Sequence, residues 1–185
     1  MKDNICLSGG AKGADLQFGM TAGMRGDQVV HWSFAGAKSE APVEELVILT
    51  PDQLEVADKF LKRANRTLKR SIGRPGFVRK LLQRNWYQVE HSERVYAVAH
   101  LEGGQVSGGT AWATQMFIDR WNGQPCECYV YDQIVEAWYA WKGEWSRIET
   151  PPEPYGVWTG IGSRNLLPSG KQAIRTLLRY QPVKP

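Results

Sequence analysis

Three glycine-rich segments carry polar side chains in patterns suited to binding an anion. They are Ser8-Gly-Gly-Ala-Lys-Gly-Ala-Asp15, Ser107-Gly-Gly-Thr110 and Gly160-Ile-Gly-Ser-Arg164. Each follows a short apolar run and precedes a segment of helical character, so each is predicted to join a strand to a helix. Such a junction presents backbone N–H groups and the positive end of a helix, and glycine lets a ligand approach closely. The sequence therefore predicts one pocket, formed by all three segments, for a phosphate-bearing, nucleotide-type ligand.

The polar side chains of these segments have distinct candidate roles. Their hydroxyl groups are hydrogen-bond donors, Lys12 and Arg164 are candidate phosphate partners, and Asp15 is a candidate acceptor for sugar hydroxyls. Asp15 has an alternative role in stabilising a helix N-terminus, and Arg164 in a surface ion pair. With residues from neighbouring elements added, the candidate ligand-binding set is Ser8, Gly9, Gly10, Lys12, Gly13, Asp15, His31, Ser33, Arg84, Asn85, Ser107, Gly108, Gly109, Thr110, Thr114, Gln115, Gly160, Gly162, Ser163 and Arg164.

Length and composition favour one soluble domain spanning residues 1–185. The chain is 42% hydrophobic, which is enough for a sizeable core. It has no apolar run long enough to cross a membrane and no secretory signal, so we expect a cytoplasmic protein without membrane partners. The three cysteines, Cys6, Cys126 and Cys128, form no CxxC pair and are interpreted as buried thiols. Neither a metal site nor a cofactor is predicted.

Positive charge is concentrated in residues 59–85. This segment holds ten Lys or Arg and no Asp or Glu, so the rest of the chain carries about −6 against a total of +4. A basic face attracts polyphosphate ligands or nucleic acid, although it can also serve only to keep a protein soluble. Arg84 and Asn85, at the end of this segment, either reach the pocket mouth or face solvent.

The elements that must position these residues alternate between strands and helices. Strands are predicted over residues 4–7, 29–32, 94–99, 126–131 and 156–159, and residues 47–49 are either a strand or the entry to a helix. Helices are predicted from residue 14, over 50–72, over 77–89 with Phe77, Val78, Leu81, Leu82 and Trp86 inward, over 110–121 and over 169–180. Residues 138–148 alternate like a β-hairpin. This order indicates an α/β, Rossmann-like three-layer fold with a mostly parallel sheet.

The motifs resemble those of the SLOG superfamily, which contains DNA-processing protein A and the LOG phosphoribohydrolases, and especially its short phage-type members. Those proteins usually begin with a strand similar to Trp158-Thr-Gly-Ile-Gly-Ser-Arg164 and continue with motifs similar to Ser8 to Asp15, Leu82-Gln-Arg-Asn85 and Gly108-Gly-Thr110. Here the first of these comes last. The resemblance therefore implies a circular permutation, with the strand at 156–159 placed beside or near residues 4–7.

The resemblance also implies a nucleotide-derived ligand, but without the family's catalytic group. LOG enzymes use a glutamate in the pattern PGGxGTxxE, and the matching position here is Gln115 or Ala113, depending on how the glycines are aligned. Neither side chain can transfer a proton at neutral pH. We expect a non-catalytic protein that binds an ADP-ribose derivative or a cyclic nucleotide, forms a homo-oligomer and, if encoded by a phage, sequesters a signal of host immunity.

Two other functions fit the same sequence. A nucleotide or nucleoside N-glycosidase would have to use Asp15 or Asp119 in place of the family glutamate. A nucleic-acid-binding module would use the cations of residues 59–85, and its affinity would fall steeply with salt.

Overall fold

The computed structural model describes residues 4–179 and contains one large sheet with helices on both faces. Its strands are β1 (Ile5–Ser8), β2 (Gln28–Phe34), β3 (Leu46–Leu49), β4 (Arg94–Ala99), β5 (Leu101–Glu102), β6 (Gln105–Val106), β7 (Glu127–Asp132), β8 (Ala137–Trp141), β9 (Trp145–Ile148) and β10 (Val157–Gly162). Its helices are α1 (Ala14–Arg25), α2 (Pro51–Leu68), α3 (Phe77–Val89), α4 (Thr110–Arg120) and α5 (Pro168–Leu177).

The main sheet has the strand order β3-β2-β1-β10-β4-β7-β8-β9. Strands β3 to β7 in this order are parallel, and β8 and β9 extend the sheet as an antiparallel hairpin. Helices α2, α3 and α4 cover one face, while α1 and α5 cover the other. This confirms the predicted α/β, Rossmann-like architecture and the hairpin near 138–148.

Strand β10 lies at the centre of the sheet although it is the last strand of the described chain. It pairs with β1 on one side, with Ile5 opposite Val157, and with β4 on the other, with Gly162 opposite Val98. The predicted placement of this strand beside residues 4–7 is therefore confirmed.

Several element boundaries match the sequence predictions because the local signals are strong. Helix α3 and strand β4 have the predicted ends, and the segment with Val47 is a strand. Helix α2 begins with a capping box in which the Thr50 hydroxyl accepts the N–H of Gln53. It ends at Leu68, before the predicted Ile72, because Lys69 adopts a left-handed conformation.

Other predictions were wrong. The segment 160–164 is a loop only from Ser163, because Gly160, Ile161 and Gly162 belong to β10. Between the predicted strand 94–99 and the predicted helix 110–121, where no strand was expected, β5 and β6 pair with each other.

The inward orientation predicted for the first turn of α3 was also wrong, since the side chains of Phe77 and Val78 are 48% and 67% exposed. Two end predictions shift slightly: strand β7 starts one residue after Cys126, and α5 ends before Tyr180, which lies outside the described residues.

Candidate functional site

A chamber of about 380 Å³ lies at the carboxyl end of β10, where helices α1, α3 and α4 converge. We call it the main chamber. Its lining residues are Ala11, Lys12, Asp15, Val78, Leu81, Leu82, Arg84, Asn85, Ser107, Gly108, Gly109, Thr110, Ile161, Gly162, Ser163 and Arg164. A parallel sheet places its ligand site at this edge, and all three glycine-rich segments contribute to the lining.

The segment Ser107 to Thr110 presents an open helix N-terminus to the main chamber. Helix α4 has neither a side-chain cap nor an acidic residue in its first turn. A Cβ atom built on Gly108 would meet nothing within 4 Å, and one on Gly109 would meet only Leu82, at 3.5 Å. The N–H of Trp112 donates to the carbonyl of Gly109, but those of Thr110 and Ala111 have no hydrogen-bond partner among residues 4–179 and can meet an anion.

Hydrogen bonds to neighbouring elements hold the same segment in place. The backbone N–H of Ser107 donates to the carbonyl of His100 over 2.8 Å, and the side-chain amide of Asn85 donates to the carbonyl of Gly109 over 3.2 Å. Thr110 is only 6% exposed, and among residues 4–179 its hydroxyl donates no hydrogen bond although the residue lines the chamber. This hydroxyl is available to a ligand.

The segment Ser8 to Asp15 is built differently, around a buried ion pair. One Nη of Arg84 donates to the carbonyl of Gly9 over 2.9 Å, and the other lies 3.3 Å from Oδ2 of Asp15. Oδ1 of Asp15 accepts the backbone N–H of Gly162 over 2.9 Å. Burial raises the pKa of Asp15, and the charge of Arg84 opposes that rise. Both carboxylate oxygens already have protein partners.

The first backbone N–H group of α1 has a hydrogen-bond partner in the loop after β10. The N–H of Ala14 donates to the carbonyl of Ser163 over 3.0 Å. A Cβ atom on Gly13 would lie 2.5 Å from that same carbonyl oxygen. Ser8 is fully buried, and its hydroxyl donates to the carbonyl of Gly160 over 2.6 Å. These groups join β1, β10 and α1, and the N-terminus of α1 is closed to an anion.

Two exposed cations stand at the mouth of the main chamber. Lys12 and Arg164 line it, and among residues 4–179 neither forms a salt bridge. Arg84, by contrast, is buried against Asp15. Lys12 and Arg164 are thus the cations free to meet a phosphate.

The predicted site residues therefore fall into groups. Those that line the main chamber are Lys12, Asp15, Arg84, Asn85, Ser107, Gly108, Gly109, Thr110, Gly162, Ser163 and Arg164. Those that do not line it are Ser8, Gly9, Gly10, Gly13, His31, Ser33, Thr114, Gln115 and Gly160. Thr114 and Gln115 line a separate cavity of about 170 Å³ beside Trp141 and Trp145.

His31 is buried behind the Ser8 to Asp15 segment, with no hydrogen-bond partner for either ring nitrogen among residues 4–179. Burial, assisted by the charge of Arg84, lowers its pKa to about 4. Its Nε2 lies 3.5 Å from a carboxylate oxygen of Glu45, but His31 is neutral at pH 7, so this contact is not an ion pair there. His31 is therefore placed as a core histidine, outside the lining of the main chamber.

The basic segment 59–85 is not one continuous face. Arg79 forms a paired contact with Asp58, and Arg63 donates to Asn122. Arg84 is turned inward to Asp15. Part of the positive charge in this segment therefore stabilises the contacts of α2 and α3.

Groups for chemistry other than binding are few. Asp15 is the one carboxyl group that lines the main chamber among the described residues. Gln115 donates to Asp119 over 2.8 Å, and Ala113 is fully buried. Residues 4–179 hold no group of three or more side chains able to bind a metal ion. The cysteines are free thiols, and burial raises the pKa of Cys126 to about 11, so it is not a reactive thiolate at pH 7.

The sequence did not indicate several residues near the chamber. Val78 and Leu81 of the apolar wall belong to no motif, and Leu82 and Ile161 lie within quoted motifs without having been assigned a role at the site. Lys38 and Glu40 lie beside it, in the segment after β2. Their position after a parallel strand was the one available signal, since the carboxyl ends of such strands meet at one edge.

No helix within residues 4–179 has the length and apolarity needed to cross a membrane. Comparison with family models, curated proteins and solved structures finds no match to this chain.

Proposed function

We propose that this protein binds a phosphate-bearing, nucleotide-type ligand in the main chamber without cleaving it. The observation that carries this proposal is the uncapped N-terminus of α4, which opens through Gly108 and Gly109 onto a 380 Å³ chamber. A phosphate there would accept N–H groups of the first turn and the Thr110 hydroxyl. Lys12 and Arg164 would neutralise its charge.

The distribution of carboxyl groups supports binding rather than cleavage. General acid–base cleavage of a glycosidic bond needs a group that can exchange a proton with the ligand. Asp15 accepts N–H groups from Gly162 and Arg84, so both of its oxygens are engaged in contacts of α1 with β10 and with α3. The N–H groups and cations of the chamber can hold a phosphate, but they do not supply the proton transfer that this cleavage needs.

The resemblance to SLOG proteins extends the proposal to the ligand and its biology. It favours an ADP-ribose derivative or a cyclic nucleotide, captured by a homo-oligomer that sequesters a host signal. Native mass spectrometry of the purified protein tests both parts, because it reports the mass of the assembly and that of any co-purified ligand. Detection of the monomer alone would contradict the proposed homo-oligomer.

Calorimetry with ADP-ribose, AMP, ADP and cyclic dinucleotides tests the binding proposal. We expect at least one to bind with a Kd below about 10 μM, equivalent to roughly 7 kcal/mol. Gly109→Ala should weaken that binding about tenfold or more, because the added methyl group occupies space in the chamber lining at the start of α4. Gly23→Ala in α1 is the matched control, since its Cβ would meet only Val29 of β2, at 3.7 Å. Absence of binding by every nucleotide would overturn the proposal.

An N-glycosidase remains the second candidate, because Asp15 is a carboxyl group in the lining of the main chamber and burial raises its pKa. Incubation with NAD and nucleoside monophosphates, followed by chromatography, tests it. Release of free base by the wild-type protein, abolished in Asp15→Asn with nucleotide binding intact, would favour the enzyme over the binding protein.

A further inference from the structure

A second chamber, of about 500 Å³, adjoins the main chamber on the side of β2. We call it the side chamber. Its lining residues are Ala11, Lys12, Gly36, Lys38, Glu40, Phe77, Leu81 and Arg164. Four of these, Ala11, Lys12, Leu81 and Arg164, also line the main chamber. The two chambers are therefore one cleft, and Lys12 and Arg164 stand where they meet.

The walls of the side chamber suit a flat aromatic ring. Phe77 is 48% exposed, and its ring contacts that of Phe34 at an angle of 61° with centroids 5.6 Å apart, so this contact holds the ring while about half of the residue stays accessible. Leu81 adds apolar surface to the same wall. Glu40 is the single carboxylate of the lining and can accept a hydrogen bond from an exocyclic amine.

The charges of the cleft suit a diphosphate. Lys12, Lys38 and Arg164 line the side chamber against one carboxylate, Glu40, and none of the four forms a salt bridge within residues 4–179. The excess of two positive charges matches a doubly ionised diphosphate. Lys12 and Arg164 line both chambers, and Lys38 lines the side chamber alone, so the cations extend over more of the cleft than one phosphate would occupy.

We propose that the side chamber is the base subsite for a nucleoside diphosphate. Its base stacks on Phe77, its diphosphate passes between Lys12 and Arg164, and its terminal phosphate, with any group attached to it, reaches the Gly108 to Thr110 segment. This rests on the proposed function and adds the class of ligand and its direction in the cleft. The combined cleft has the size of ordinary ligand sites, which span roughly 300–1,000 Å³.

Calorimetry with ADP, AMP and inorganic diphosphate tests the proposal. We expect ADP to bind more tightly than either AMP or diphosphate. Phe77→Ala should weaken ADP about tenfold while leaving diphosphate unchanged, because base–aromatic stacking is lost. Phe77→Tyr should restore the ADP affinity. Met20→Ala, which removes a similarly exposed apolar side chain of α1 that lines neither chamber, should change neither.

The outcomes separate this proposal from the proposed function. If Gly109→Ala weakens ADP but Phe77→Ala does not, the base subsite is wrong and the main chamber still binds nucleotide. A Phe77→Ala protein that loses diphosphate as strongly as ADP also overturns the base subsite. If none of the three ligands binds to the wild-type protein, the base subsite is wrong, and the proposed function fails as well only if ADP-ribose and the cyclic dinucleotides do not bind either.

A second measurement uses only the wild-type protein. Photolabelling with 8-azido-ADP, followed by peptide mass spectrometry, should place the label in residues 36–40 or 77–81. A label confined to residues 107–110 would reverse the direction of the ligand and overturn the proposal.

Discussion

The segments Ser8 to Asp15 and Ser107 to Thr110 resemble each other in sequence and differ in structure. Both are glycine-rich, and both lead from a strand into a helix. A Cβ atom on Gly9 would lie 2.6 Å from the guanidinium carbon of Arg84, whereas one on Gly108 would meet nothing within 4 Å. Glycine serves internal packing in the first segment and ligand access in the second.

The third segment belongs with the first. A Cβ atom on Gly160 would lie 2.5 Å from Cβ of Phe18, and one on Gly162 would lie 2.8 Å from Cβ of Ala14 and overlap the carbonyl of Val98. These glycines let α1 pack directly on β10. The glycines of two of the three motifs are therefore closely packed against other elements, whereas those of Ser107 to Thr110 leave open space. Substitutions in the first and third segments should therefore change stability, whereas those in the segment Ser107 to Thr110 should change ligand binding.

The largest loss of stability is expected from Arg84→Met. It leaves Asp15 buried without its partner and removes the donor to the Gly9 carbonyl, which should cost about 3–5 kcal/mol in the free energy of unfolding. Urea denaturation measures it. The double variant Arg84→Met, Asp15→Asn should recover part of the loss. As a control, Arg164→Met removes an exposed cation and should change stability by less than about 0.5 kcal/mol. Equal losses in the single and double variants would contradict the role assigned to the pair.

Gly162→Ala should cost about 3 kcal/mol, because the added methyl group overlaps the Val98 carbonyl and pushes Ala14 away from the sheet. Thermal and urea unfolding report the change. Gly23→Ala should instead gain about 0.5–1 kcal/mol, since alanine is the better helix former and its Cβ has room. Equal stability of the two variants would show that β10 and α1 are not closely packed.

Lowering the pH should reduce the free energy of unfolding through His31, whose pKa of about 4 lies below its ordinary value of 6.5. Between these two values the unfolded chain binds the proton and the folded chain does not, so stability falls as the pH drops from 6.5 towards 4. The loss should reach up to about 3 kcal/mol. Glu45 and Arg84, the charged groups near the ring, change this amount but not its sign.

His31→Leu should reduce the pH dependence of unfolding in this range, measured by urea denaturation at successive pH values. His91, whose side chain is 71% exposed, provides the matched control, and His91→Leu should keep the wild-type slope. Parallel curves for wild type and His31→Leu would assign the acid sensitivity to other groups.

Among the glycine-loop variants, only a small loss of stability is expected from Gly109→Ala. The φ angle of Gly109 is −68°, which alanine adopts without strain, and the new Cβ would make an ordinary contact with Leu82. The free energy of unfolding should change by less than about 1 kcal/mol. A large loss of stability would mean that the second segment is a packing element like the first, and the contrast between them would disappear.

Sequence patterns predicted the fold well because the strands are apolar and the helices have clear ends. Gly73 and Pro75 separate α2 from α3, and the fully buried β4 stands out as a continuous apolar run. The same patterns could not show that Phe77 and Val78 extend beyond the core. Helical periodicity identifies a face, but it does not show whether a neighbouring element covers the first turn of that face.

The site was predictable where it depends on backbone shape and not where it depends on distant partners. The sequence indicated that Gly108, Gly109 and Thr110 could receive an anion. It did not reveal that Arg84 would form an ion pair with Asp15, because the two residues are 69 positions apart in the chain and meet only when α3 lies beside α1. Lys38 and Glu40 reach the cleft only through the order of strands in the sheet.

The central position of β10 has a consequence for synthesis of the protein on the ribosome. Until residues 157–162 emerge, β1 and β4 each expose an unpaired edge, and the two halves of the sheet have no strand between them. At about 5–20 residues per second, the edges of β1 and β4 stay without their partner strand for several seconds during synthesis. The last strand therefore acts as a late closing step, and nascent chains stalled before it should be the species most dependent on chaperones.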